Sequence, residues 1–593
     1  MKRFSIAISL LVLVSLLLAA CGATPEPQII RETVVVTEKE TVVETVEVEK
    51  EVTVVETVEV ETEVTVVETV EVEKEVEKVI TATPAAAKTT GPKYGGTLVV
   101  AEVPSARGID VAAHSAGTLN EIAQQFYETL FDRDPSGEIQ GLLVKEATVS
   151  DDGLVHTWTL QDGVKFCDDT DLTAEVVKWN LERRIEKKLP LWNLVPWDTI
   201  EAVDDLTLQV TLTRPAPSIF GVLAAKSWSI YSKEFVEKVG DDALKIQACG
   251  TGPFTVTDYT PTERLDMVKN ENYWQEGLPY LDAITVLEIA DINTRATMLE
   301  AGDVDMAANL SIQDILRLRD YEDINIIEGT GSRQYYITMN TQAEPLNDPL
   351  VRKAINYAVD KQGIVDTVFQ GLYSVANAPI FNPVIDGHTD AGVFEYDPEK
   401  AIELLEEAGW TVGDRGIREK DGQKLIIDLH TRKGSTPGDI EIAELVQAML
   451  LDVGISVELA LHDSAGFIFT VTKPVEEADY NMINLTWGTY TGDGEYIMRT
   501  FYSCEAWAPV YYNRAYYCND EVEAMINASL EAPTMEDRNA IYADILHTVH
   551  DDIPIIQLFD QTAFMATRSD VGGVYFDPAL INFPFKYAWL DSE

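Results

Sequence analysis

Ser150-Asp151-Asp152-Gly153 runs toward Thr157-Trp158-Thr159-Leu160, then Asp162-Gly163-Val164-Lys165-Phe166, then Leu172-Thr173-Ala174-Glu175-Val176-Val177. Just upstream stands Tyr127-Glu128-Thr129-Leu130. Asp152-Gly153 reads as a tight turn feeding an alternating run from Val155 to Leu160, so this piece is a β-hairpin arm. Asp162-Gly163 makes a second turn. Thr173 is placed to cap a helix on which Val176, Val177 and Leu181 share one face. Pattern reading alone stops at hairpin, turn and capped helix.

The wording of the stretch resembles the signature region of the family 5 extracellular solute-binding proteins. These are the oligopeptide-, dipeptide- and nickel-binding components of ABC importers. Their usual pattern runs SDDG-x-x-YTF-x-LRDGVKFHDGTPLTAEDV, and here Cys167-Asp168-Asp169 stands where His-Asp-Gly is usual. Further phrases follow in the family's order: Gly95-Gly96-Thr97-Leu98, Gly250-Thr251-Gly252-Pro253-Phe254, Asn272-Tyr273-Trp274, and Asp291 to Asp305 with Arg295 and Gly302. The resemblance covers residues 94 to 593. It implies an α/β fold of the two-lobe periplasmic-binding-protein type (class II, Venus-flytrap) with an extra hairpin-rich subdomain. Lobe one would take in 94–330, with the subdomain at about 121–200, and lobe two 331–558. Residues 559–593 would return to lobe one, and the lobes would close on a ligand by hinge motion.

Composition agrees with a large exported body. The 593 residues exceed one domain, and 46% apolar with 9% aromatic residues suffice to fill several cores. A net charge of −55 repels nucleic acid and anionic lipid, which argues against both as partners. A well-solvated acidic surface is the plainer reading of that charge.

Lys2 and Arg3 precede an uncharged run from Phe4 to Leu18, the layout of an export signal and too short for a membrane span. The run ends Leu18-Ala19-Ala20-Cys21-Gly22, which resembles the bacterial lipobox. That implies a signal peptide over 1–20, lipidation of Cys21, and an extracytoplasmic protein held to the membrane by lipid. An ordinary secretory signal with an incidental cysteine is the competing reading. Beyond it, 21–93 is a spacer in which one phrase recurs at Thr41 to Val52, Thr53 to Val64 and Thr65 to Val76. With 17 Glu against 7 Lys and Arg between Gly22 and Lys93, like charges would extend this tract as a stalk. Plain disorder is the alternative.

In the body, Ile200 to Val203 and Thr207 to Leu212 read as an antiparallel pair across Asp204-Asp205. Tyr335 to Asn340 reads as a strand. Asn347-Asp348-Pro349 and Tyr396-Asp397-Pro398 are placed to start helices, the second stopped by Gly409. Strands at Lys424 to His430, Ile455 to Leu461 and Tyr480 to Leu485 alternate with a helix at Asp439 to Leu451, which argues an α/β lobe.

Signals for catalysis are sparse. His547 and His550 share a helix face, but no third ligand completes a metal set, so they read as surface residues. No phosphate loop, G-x-S-x-G or H-E-x-x-H occurs. The expectation is therefore a binding protein, not an enzyme, with no cofactor and no metal; a secreted hydrolase is the distant alternative. Besides Cys21, the cysteines Cys167, Cys249, Cys504 and Cys518 allow three connectivities. Relatives carry a similar pair before an Asn-x-Glu-Val phrase, so the resemblance implies a Cys504–Cys518 bond. That would leave Cys167 for Cys249, with two inert buried thiols as the alternative.

Trp487-Gly488-Thr489-Tyr490-Thr491-Gly492-Asp493-Gly494-Glu495 resembles the family segment that lines the ligand site. In peptide binders its Trp packs on the ligand, and an Asp three residues later meets the α-amino group. Trp487 is kept, but Tyr490 holds the Asp position. Asp493 or Glu495 is then the expected stand-in carboxylate, while Trp487 with Tyr490 would also suit sugar rings. Tyr127, Trp158, Tyr335 and Tyr336 are further candidates from the opposite lobe and the hinge. The resemblance implies capture of peptides by a monomer that hands them to ABC permease and ATPase subunits. Oligosaccharide, opine or metal chelate is the alternative ligand.

Overall fold

Two strands, Ile324–Met339 and Ile555–Arg568, lie antiparallel in the middle of one large mixed sheet. At 16 and 14 residues they extend for roughly 50 Å, enough to belong to two lobes at once. Their register slips between Thr330 and Gln334. On one side of the slip the sheet continues through Met306–Ala308, Thr97–Glu102, Ala283–Glu288, Arg264–Lys269 and Phe254–Thr260. On the other side it continues through Met482–Gly488, Ile426–Arg432 and the edge strand Ser456–His462. The computed structural model describes residues 91–593 apart from 106–107, 114–119, 135–136, 434–436, 490, 577–582 and 592–593. The expected export signal, Cys21, the repeat tract and Tyr490 therefore lie outside the described residues.

Each half of the sheet is covered on both faces. In lobe two, Tyr335, Ile337 and Met339 enter one core with Val351, Ile355 and Ile442, while Tyr336 enters a second with Trp487, Phe501 and Tyr542. A strand buried on both faces needs apolar residues at successive positions, which is why Tyr335-Tyr336-Ile337 does not alternate with polar residues. The covering helices start where the sequence supplies acceptors. The Asp348 carboxylate accepts from Leu350 N–H at 2.9 Å and the Asp397 carboxylate from Lys400 N–H at 2.8 Å. Each is followed by proline in the first turn.

A smaller unit sits on lobe one. Its sheet runs Val144–Val149, Val155–Leu160, Thr207–Leu212, Trp197–Ala202. The turn at Asp152-Gly153 has Gly153 at φ +71°, and the Asp152 carboxylate accepts from Ser150 Oγ and Leu154 N–H. Thr173 caps the helix Ala174–Lys187, which buries Val176, Val177 and Leu181 against the sheet. The core of this unit runs on from Leu130 to Ile230, well past residue 200, because Thr207–Leu212 is an interior strand. Cys167 and Cys249 are bonded across 5.3 Å between Cα atoms, and Cys504 and Cys518 across 4.6 Å.

The scattered signature phrases meet around Glu128. Its buried carboxylate accepts from Thr251 Oγ1 at 2.8 Å, Tyr273 Oη at 2.8 Å and Trp274 Nε1 at 2.9 Å. Burial raises its pKa against the pull of Lys586 and these donors. Gly250 and Gly252 lie so close to the Phe126-Tyr127 backbone that a Cβ on either would fall within 3 Å of it. The phrase at 250–254 is thus a docking surface for the phrase at 127–130.

Candidate ligand-binding seam

The strand Met482–Gly488 delivers Trp487 to the point where the two crossing strands change lobes, in register with Gln334. Trp487 stacks on Tyr496 at 5.6 Å between ring centroids and meets Phe501 edge-on at 4.8 Å. Across the pair, Arg333 faces Gly488 in the register and is exposed. Among the described residues Arg333 makes no ion pair.

After Trp487 the chain forms a seam with the small unit. Arg133, from that unit, donates to Asp386 Oδ2 at 2.9 Å and to the Thr491 carbonyl at 3.3 Å. Its side chain is 1% exposed. Gly492 sits at φ +70° directly against this guanidinium, where an added Cβ would lie 2.6 Å from Nη2. Ser218 Oγ donates to Glu495 Oε2 at 3.0 Å, and Arg214 reaches Glu495 Oε1 at 3.5 Å and the Leu530 carbonyl at 2.9 Å. Arg133, Arg214 and Ser218 come from the small unit; Asp386, Thr491 and Glu495 come from lobe two. The seam is polar, buried and bridged by charge.

Two carboxylates two residues apart fare differently within it. Glu495 is ringed by Arg538, Arg214 and Arg499. Burial raises its pKa, but those three cations and the Ser218 hydroxyl outweigh burial and hold the carboxyl below the ordinary range. Asp493 accepts the Glu495 N–H on Oδ1 at 2.7 Å, and its buried Oδ2 has no hydrogen-bond partner among the described residues. Burial pushes the Asp493 carboxyl up to about 6, against the attraction of Arg538. Of the two expected stand-ins, Glu495 is therefore already committed to arginines, whereas Asp493 keeps a bare oxygen.

The structure corrects the reading of four aromatic candidates. Tyr127, Trp158 and Tyr335 are 0% exposed and Tyr336 2%. Tyr127 packs at a tilt against Tyr231 in the lobe-one core, and Trp158 takes the inward face of an alternating strand. Tyr335 and Tyr336 go into opposite cores because both faces of their strand are covered, and Trp487, at 8% exposure, borders the core that Tyr336 enters. The residues that build the seam, Arg133, Arg214, Ser218, Asp386 and Arg538, carry no local signal; only the fold brings them to Glu495 and its neighbours.

A family model described as bacterial extracellular solute-binding proteins, family 5 Middle, matches residues 138–509. The chain belongs to this family. Among the relatives of this solute-binding protein, the glutathione-binding protein GsiB of Salmonella typhi is 29% identical over 461 residues, 77% of this chain and 87% of that protein. The structure of NikA from Brucella suis in complex with Fe(III)-EDTA aligns with TM-score 0.75 and 25% identity, covering 84% of this chain and all of that one. The oligopeptide-binding protein AppA from Bacillus subtilis, in complex with a nonapeptide, aligns with TM-score 0.70 and 23% identity over 84% of this chain and all of AppA. No helix among the described residues is long and apolar enough to cross a membrane.

Proposed function

We propose that this solute-binding protein captures short peptides in the seam beside Trp487 and delivers them to the permease and ATPase subunits of an ABC importer. The observation that carries the reading is a carboxylate oxygen without a hydrogen bond and a cation without an ion pair among the described residues. Among the described residues, Asp493 has a buried carboxylate oxygen without a hydrogen bond and Arg333 is an exposed cation without an ion pair, and both belong to the segments around Trp487. A zwitterionic ligand complements both, because an ammonium enclosed by lobe closure requires a carboxylate and a terminal carboxylate requires a cation. The glutathione-binding relative supports the same ligand class. In the sequence, Tyr490 stands where the family's peptide-binding wording has aspartate, which leaves the ammonium to Asp493. Thermal-shift screening tests the reading: free-amine di- and tripeptides should raise the melting temperature by mass action. Stabilisation by oligosaccharides or metal chelates, with no peptide doing so, would reject it.

The protein acts as a monomer anchored outside the cell membrane through lipid on Cys21, with 21–93 as the stalk. The anchor rests on the lipobox wording. In Cys21→Ala the chain is expected to leave the membrane fraction or to keep its signal segment. A variant that sediments with membranes and carries the wild-type mature N-terminus would refute the anchor.

A further inference from the structure

Away from the seam, the outer edge of lobe two carries a pair of histidines that solute capture does not use. His430 lies in Ile426–Arg432 and His462 ends the neighbouring parallel edge strand Ser456–His462. Because His462 pairs in register with Arg432, it stands diagonal to His430 on the same face, within side-chain reach. The two rings stack 5.0 Å apart, and His462 Nε2 lies 3.0 Å from His430 Nδ1.

The other nitrogen of His430 is fixed. Its Nε2 lies 2.8 Å from Asp428 Oδ2, and Asp428 is held in turn by the Asn481 N–H at 3.1 Å. A carboxylate on Nε2 keeps the proton there and leaves the Nδ1 lone pair facing His462. A carboxylate, an imidazole and an outward lone pair in line is the arrangement by which proteins orient metal-binding histidines. Two nitrogens on one tetrahedral ion, at bonds of about 2.05 Å, stand roughly 3.3 Å apart. The observed 3.0 Å is close to that spacing, and an ion between the two nitrogens requires both rings to turn so that their lone pairs meet it. Asp463, Asp479 and Lys473 are the other charged groups that act on His462, and Lys473 is occupied by Asp479 at 2.7 Å.

We propose that His430 Nδ1 and His462 Nε2 bind a divalent first-row transition ion at the edge of lobe two. Asp428 orients His430, and the remaining coordination positions are filled by solvent. Imidazole nitrogens suit zinc, copper and nickel, whereas magnesium and calcium prefer oxygen. On binding, the proton shared between the rings moves to His462 Nδ1, so the charge on the pair is unchanged. With two protein ligands instead of three or four, the site is weaker than a structural zinc site and exchanges its ion with solvent.

The test uses the untagged full-length chain and Zn2+ alone as probe, with excess Mg2+ present to occupy surface carboxylates. Calorimetric titration at pH 7.5 should find one site in the micromolar range. His462→Ala and His430→Ala should each weaken it tenfold or more, and Asp428→Asn should weaken it by about tenfold through loss of orientation. His547→Ala is the control for the other close histidine pair and should bind as wild type does. His462 is only partly buried, so His462→Gln, with an unchanged melting temperature, separates loss of a ligand from loss of fold. Wild-type affinity in both histidine variants, or no saturable site in the wild type, would overturn the proposal.

Discussion

Replacing Glu495 by Gln is expected to destabilise the folded protein by roughly 3–5 kcal/mol at neutral pH, the cost of stranding a buried charge. The charge is Arg538, whose side chain is 0% exposed and whose close carboxylate partner is Glu495. The same substitution weakens the bonds to Ser218 and Arg214, so the small unit should also separate more readily from lobe two. Chemical denaturation monitored by tryptophan fluorescence measures the effect. Asp493 lies near enough to attract Arg538 and would take over part of the compensation. Glu495→Gln combined with Asp493→Asn should therefore be less stable than the sum of the single effects. A single variant within 1 kcal/mol of wild type, or strict additivity, would show that the arginine is not held as described.

Asp493→Asn alone is expected to act in the opposite sense and to depend on pH. The Asp493 carboxyl titrates at about 6 in the folded chain against an ordinary 3.8. Between those values the folded state holds the proton more tightly than the unfolded state, so stability falls as pH rises through the window. The full penalty, about 3 kcal/mol, is present above pH 6 and absent below the ordinary value. Asparagine keeps the oxygen that accepts the Glu495 N–H and carries no charge to bury. The variant should match wild type near pH 4 and become more stable from pH 6 upward. Comparing the two chains cancels other buried acids such as Asp560, which is also raised to about 6. A stability difference that stays constant from pH 4 to 7.5 would refute this account of Asp493.

Local chemistry was legible where one residue type decides a conformation. Gly153 at positive φ, Thr173 capping by its hydroxyl, and Asp348 and Asp397 before proline all follow from neighbours in the chain. The small unit's extent was not legible. Its middle strand, Thr207–Leu212, pairs with Val155–Leu160 at a distance in sequence that no turn signal marks. The seam was still less legible, since Ser218 and Glu495 are 277 residues apart and Arg133 and Asp386 are 253 apart. Trp487 and its acidic neighbours were visible from their wording alone. Which of the two carboxylates stays open depends on Arg214 and Arg538, brought in by the fold, together with Arg499 four residues along the chain. Tyr335 and Tyr336 show the converse: a tyrosine in a strand covered on both faces has no cleft to face.

The most direct test of peptide capture beside Trp487 is a calorimetric titration of the wild-type and Trp487→Ala chains with the free-amine peptide that stabilises the protein most. Wild type should bind with one-to-one stoichiometry, and the variant tenfold or more weakly, about 1.4 kcal/mol, through loss of aromatic contact. Equal affinity for both chains would place the ligand elsewhere and contradict the account.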